Sequence, residues 1–264
     1  MLMRLLEKMI IELTRMRINK TVKFPKREHS RFMDIQDYLS KLNSDSQQVF
    51  SETIREKEKL GTLHHLSSCI YEFSDCLLDP QEKQMLVTVS TQLESATLNL
   101  VLGLYRQAFA SLRLALEMGL ATMYFSVNKM ELHEWLDGRT DIKWSKLVDE
   151  ENGVLSKRFS NAFFTECSSY TDGYRDKAIS TYRKLSEYVH GNNETWEKSG
   201  LKLGYKPDLL EFYFDSFKSV SEVILFVAVC RYTRLIDEAT RESLQFIPEE
   251  FSHISEIRKL FGSA

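Results

Sequence analysis

The sequence predicts an all-α fold: an up-and-down helical bundle behind an N-terminal helical extension. Three observations lead there. Glycine and proline are scarce, 10 and 4 in 264 residues, roughly half their usual combined share of about 12%. Few turns are therefore available, and an all-helical chain needs fewest. Apolar residues recur at helical spacing, clearest in Phe109, Leu112, Leu116, Leu120, Met123 and Val127, with steps of 3, 4, 4, 3 and 4. Strand-like alternation, internal repeats and low-complexity tracts do not stand out anywhere in the chain.

The elements follow in order. Residues 1–18 read as an amphipathic helix ended by the FPKR stretch around Pro25. Residues 30–59 are helical again, with a polar interruption at LNSDSQQ. Gly61 and Thr62 punctuate, and HHLSSCIYEFSDCLL forms a short apolar helix up to Asp79–Pro80. Residues 1–80 are read together as the N-terminal extension. Asp79 then N-caps a helix with Pro80 at its first position. A second long helix runs from about Tyr105 to Val127. Breaks fall around Gly138 and at Asn152–Gly153, near the acidic, Trp-bearing LHEWLDGRTDIKWSKL. Thr171–Gly173 reads as a turn and Tyr174–His190 as a helix. Residues 191–207 form the longest polar loop. Pro207 and Asp208 open a last long helix to about Ala239, and a short helix follows Pro248. Residues 81–240 form the bundle and 241–264 the C-terminal short helix.

Composition narrows the function classes. The net charge of −3 excludes a generic polyanion binder. Residues 1–31 carry nine Lys/Arg against three Glu; this is a solvated face or a phosphate-tracking arm. Cys69, Cys76, Cys167 and Cys230 make no C-x-x-C pair and no disulfide framework for a chain this long, so reduced thiols in the cytoplasm are expected. His64 and His65 near Cys69 and Cys76 fit no zinc spacing well. No metal and no cofactor are expected. Arg4, Glu7, Lys8 and Glu12 break the apolar N-terminus, which does not read as a secretion signal. The longest apolar run, Val223–Cys230, is far short of the ~20 residues that span a bilayer. It reads as a buried core helix, with no membrane partner.

The chemistry-bearing stretch is TYRKLSEYVHGN, residues 181–192. On a helix, seven residues turn through ~700°, so Arg183 and His190 project within ~20° of each other and ~10.5 Å apart. A phosphate fits between them. An imidazole can take a proton from a ribose 2′-OH or give one to a leaving 5′-oxygen. A guanidinium offers a planar fork of donors as charge builds on the phosphate. The plainer reading is a helix end: His190 precedes Gly191 and Asn192, and Glu187 stands four residues after Arg183. On the second long helix, Arg106, Arg113 and Glu117 share one stripe. Arg113 and Glu117 lie in an apolar stretch, where charges must be paired or face a cleft. Either Glu117 orients Arg183 or His190 while Arg113 binds phosphate, or the two pair across one turn. Lys184, Ser186 and Asn192 lie nearby as solvated or capping residues. Trp196 and Tyr205 are candidates to stack on an exposed base or to pack back on the bundle.

With an R-x6-H pattern near the end of a late helix, and with YRQAFASLRLALEMGL (105–120) and YRKLSEYVHGN (182–192), the chain resembles the HEPN superfamily over about residues 80–240. The spacing of six is at the long end of that family's pattern, and Lys184 follows the arginine where Asn, Asp or His is frequent. The resemblance implies a metal-independent endoribonuclease of a bacterial antiphage defence or toxin system, acting on RNA as a homodimer. Arg183 and His190 would be its catalytic pair. Glu117, Arg113, Lys184, Glu187 and Asn192 would support them, and Arg106 and Trp196 would contact RNA. A cognate antitoxin or defence-system partner protein is also implied. The family holds non-catalytic members too, so a helical module that binds a partner protein or nucleotide is the alternative. A helical nucleic-acid binder using residues 4–31 is a third.

Overall fold

The computed structural model describes residues 34–190 and 201–262. All regular structure in them is helical: twelve α-helices and one 3-10 helix. Residues 1–40 and 41–264 are two separate compact units. The first is described only over 34–40, the opening turns of helix α1 (Ile35–Thr53).

Helix α1 runs unbroken through LNSDSQQ, where the sequence predicts an interruption. Polar residues on a solvated helix face cost only about 0.5 kcal/mol each. Ser46 Oγ also donates to the carbonyl of Leu102 at 3.0 Å, which ties this segment to the next turn but two. Helix α2 (Lys57–Asp75) likewise runs through Gly61 and Thr62. Gly61 is exposed, with open space at its missing Cβ. A helical glycine costs about 1 kcal/mol. Burial of Leu63, Leu66, Ile70 and Phe73 offsets that at about 1.5–3 kcal/mol each. These four side chains place α2 in the same core as the later helices.

Helix α3 (Pro80–Val101) starts as the sequence predicts. Asp79 accepts from the backbone N–H of Gln81 and Glu82, and Pro80 takes the first position. It ends in a Schellman turn: Gly103 N donates to Leu100 O and Leu104 N to Asn99 O. Gly103 holds φ +78°, and Val49 lies 3.2 Å from where its Cβ would stand. Glycine is therefore needed there twice over. The three-residue turn folds helix α4 (Tyr105–Val127) back against α3.

Helices α5 (Lys129–Leu136), α6 (Trp144–Leu147) and α7 (Lys157–Phe163) and the 3-10 helix Thr165–Tyr170 form the insertion before α8 (Thr171–His190). Thr171–Gly173, expected as a turn, is the first turn of α8. Thr171 is fully buried and its hydroxyl lies 2.6 Å from Ser160 Oγ, so the chain enters the helix from a fixed point. Helix α9 (Pro207–Tyr232) stops short of the predicted Ala239. Asp237 ends the continuity by N-capping α10 (Glu238–Ser243), accepting from Thr240 N at 2.8 Å. Helices α11 (Phe246–Glu250) and α12 (Ser255–Leu260) close the chain.

Helix α4 is the hub. It packs on α3, α8 and α9. Phe109, Leu112, Leu116, Leu120 and Met123 are all fully buried, while Val127 at the helix end is exposed. Val223–Cys230 is buried on every side. None of the described helices is long and apolar enough to cross a membrane. Gly119 is what lets α9 approach: a Cβ there would stand 2.6 Å from Ile224 Cγ1.

Candidate functional site

The polar residues of α4 and α8 meet along the seam between these helices. Phe109 of α4 and Tyr188 of α8 pack with ring centroids 4.2 Å apart, and Phe212 of α9 closes the cluster at 5.2 Å from Phe109. This aromatic clamp holds the last turn of α8 to the bundle and so places His190, the last described residue before position 201. Leu185 is fully buried beneath the same turn.

Arg113 is the centre of the seam. One terminal nitrogen lies 2.9 Å from His190 Nε2. The other donates to Glu117 Oε1 at 3.2 Å and to the Tyr182 hydroxyl at 2.5 Å. Tyr182 in turn donates to Glu117 Oε1 at 2.9 Å. The Arg113 carbon of the guanidinium stands 4.6 Å from the Tyr182 ring centre. Trp144, from the insertion, stacks on the Tyr182 ring at 3.8 Å with planes 6° apart. The insertion is itself tied back through Lys146 to Glu131 at 2.7 Å, Tyr124 to Glu131 at 2.9 Å, and Arg175 Nε to the carbonyl of Val148 at 2.9 Å.

Donor and acceptor chemistry orders these contacts. A guanidinium has donors and no acceptor. In a hydrogen bond between these two groups His190 Nε2 is therefore the acceptor, its lone pair turned to Arg113. Burial, followed by donation to Glu117, raises the Tyr182 hydroxyl above its ordinary value of 10.0, and the nearby Arg113 opposes this. Arg113 and Glu117 side chains are 14% and 22% exposed, so the pair is neither dry nor fully solvated. Among the described residues Arg113 Nε is buried without an acceptor.

The residues singled out by sequence divide into three groups. Arg113, Glu117 and His190 come together. Arg183 and Lys184 are exposed on α8, and among the described residues Arg183 forms no hydrogen bond or ion pair, with Glu187 or with His190. The arginine that meets His190 thus comes from another helix. Glu187 is exposed one turn before His190, and Arg106 is half-buried two turns before Arg113. Asn192 and Trp196 lie outside the described residues, as does the basic segment 4–31. Tyr205 packs against the core, and the backbone N–H of its neighbour Lys206 donates to Tyr105 at 3.0 Å. Ser186 donates to the carbonyl of Tyr182 at 2.7 Å.

Tyr182 and Trp144 are the members that sequence reasoning missed. Tyr182 reads as a core-packing residue on its stripe, and nothing in LHEWLDGRTDIKWSKL signals which helix Trp144 will cover. The His64, His65, Cys69 and Cys76 set does not assemble. His65 lies 3.5 Å from Cys69 and 3.2 Å from Glu250, His64 is exposed, and no group of three or more metal-ligating side chains gathers among the described residues. No protein-family model, no curated protein and no solved structure matches the chain.

Proposed function

We propose that the chain is a metal-independent endoribonuclease of HEPN type, acting as a homodimer in the cytoplasm within a bacterial antiphage defence or toxin system. The observation that carries this reading is the contact between the Arg113 guanidinium and His190 Nε2 at the exposed end of α8. Arg183 and Lys184 stand exposed on the same helix. The all-helical bundle and four unpaired cysteines support the fold and compartment parts of the reading.

In this mechanism the RNA phosphate enters beside His190. Its oxygens attract Arg113, whose fork of donors matches a phosphate better than a single imidazole nitrogen. As Arg113 turns to phosphate, the His190 Nε2 lone pair is released. His190 takes the proton from the ribose 2′-OH, and the oxygen attacks its own 3′-phosphate. Arg113 and Arg183 stabilise the charge on the phosphate oxygens. The P–O5′ bond breaks, the leaving 5′-oxygen takes a proton from water, and the products carry a 2′,3′-cyclic phosphate and a 5′-hydroxyl. Glu117 and Tyr182 hold Arg113 within reach.

The test is cleavage of mixed cellular RNA in EDTA by the full chain beside His190→Ala. Products ending in a 2′,3′-cyclic phosphate from the unmodified chain alone support the mechanism. Cleavage that EDTA abolishes, or that leaves no cyclic end, contradicts it. One observation favours a second reading, a non-catalytic module that binds a partner protein or a nucleotide. Arg113, Glu117 and Tyr182 already satisfy one another, as an interhelical latch would. In that case His190→Ala leaves every activity unchanged.

A further inference from the structure

A pocket of about 150 Å³ lies far along the chain from this seam, between the α2–α3 turn and the end of α9. Leu77, Leu78, Leu235 and Ile236 supply apolar wall, with Leu78 93% and Leu235 61% exposed at the rim. Such exposed leucines beside a cavity are what a ligand's apolar body would cover.

The polar lining is unevenly committed. Glu82 is buried, yet both its oxygens are taken: Lys129 donates to Oε1 at 2.5 Å and the Tyr232 hydroxyl to Oε2 at 2.6 Å. Asp79 is taken too, by the α3 cap and by Lys129 at 2.7 Å. Arg231 is different. Its Nε donates to Ser126 Oγ at 2.8 Å, and its guanidinium lies 4.5 Å from the Phe163 ring centre and 4.9 Å from that of Tyr232. Ser126 is itself held by donation to the carbonyl of Met123 at 2.8 Å. Among the described residues no carboxylate pairs with Arg231, and its terminal nitrogens donate to nothing. Arg231 lines the pocket, and a guanidinium fixed at one edge and flanked by two rings keeps its terminal nitrogens for a planar pair of oxygens.

We propose that this pocket binds a small monocarboxylate with a short apolar tail, its oxygens on Arg231 and its tail against Leu77, Leu235 and Ile236. The volume suits about six non-hydrogen atoms, since a cavity of this size takes a benzene. A carboxylate is favoured over a neutral amide because two charge-assisted bonds to the fork are stronger than neutral ones. The claim is independent of the endoribonuclease reading.

The probe is 3-methylbutanoate, titrated into the full chain with methyl-labelled leucine and followed by NMR. Acetate and 3-methylbutanamide are the comparison probes. Saturable shifts at Leu77, Leu78 and Leu235 are expected, with binding about tenfold weaker for each comparison probe, the amide lacking charge and the acetate lacking the tail. Arg231→Gln should bring the acid down to the level of the amide. Leu235→Trp, at the exposed rim, should block binding while leaving the fold intact, which keeps the test open if Arg231→Gln does not fold. Shifts that do not saturate, acetate binding as tightly as 3-methylbutanoate, or an unchanged titration in Leu235→Trp would overturn the proposal.

Discussion

Replacing Tyr182 by phenylalanine removes one oxygen from the α4–α8 seam and leaves the ring stacked on Trp144. That oxygen accepts from Arg113 at 2.5 Å and donates to Glu117 at 2.9 Å. A hydrogen bond to a charged group contributes about 1.5–3 kcal/mol when water is excluded. Two features reduce the sum. Arg113 and Glu117 stay paired at 3.2 Å after the change, and they are 14% and 22% exposed, so water can partly replace the hydroxyl. The expected loss is therefore about 1–2 kcal/mol in all, not the full value of two buried bonds. Urea unfolding followed by circular dichroism and by fluorescence measures it, provided the two transitions coincide. A cycle with Glu117→Gln separates the pairwise part. If the hydroxyl acts through the carboxylate, the double variant loses less than the two single losses combined, by about 0.5 kcal/mol or more. A Tyr182→Phe loss under about 0.3 kcal/mol, with additive single effects, would refute the latch. Under the proposed function the same variant also loosens Arg113, so RNA cleavage should fall while Trp144 stays in place.

The other predictions concern the frame around the seam. Gly119→Ala places a Cβ 2.6 Å from Ile224 Cγ1; the overpacking cost of about 1–3 kcal/mol should exceed the ~1 kcal/mol gained in helix propensity. Ile224→Ala in the same chain should relieve the clash, and a midpoint in urea that rises on Gly119→Ala alone would sink the close-approach argument. Asp79→Ala removes the α3 cap and should cost about 0.5–2 kcal/mol. Lys129, followed by the cap bonds, holds the Asp79 carboxyl below its ordinary 3.8. Its stabilising share is present above pH 3.8 and is lost as pH falls through the lower folded value, so the variant's deficit should shrink in strong acid. At the alkaline end, burial and then donation to Glu131 push the Tyr124 hydroxyl up from 10.0 to about 12, and burial pushes the Cys69 thiol from 9.0 to about 12. Both groups favour the folded state fully below pH 9 and progressively less as pH rises toward 12. Thermal midpoints should hold to about pH 9 and then fall; a flat profile to pH 12 would contradict the burial of these groups.

The sequence by itself determined the elements whose causes are local. Asp79–Pro80 starts α3 because a side-chain oxygen two residues from an orphan N–H needs no distant partner. Tyr105–Val127 is legible to the residue because its apolar stripe keeps the helical period. VILFVAVC is buried on all sides because a run with no polar face leaves no side for water. The i, i+4 spacing also brings Arg113 within reach of Glu117. Punctuation was less legible: Gly61 and Thr171–Gly173 carry turn propensity, and packing of Leu66, Phe73 and the buried Thr171 overrides it. The site depends on neighbours from three separate stretches, and spacing along one helix cannot rank them. The tertiary structure alone decided that His190 meets Arg113, 77 residues away, and that Trp144 covers Tyr182. A 10.5 Å step along an α-helix sets which side chains share a face. Which charge stands opposite that face is set by the helix packed against it, and here the Phe109–Tyr188 clamp brings Arg113 there.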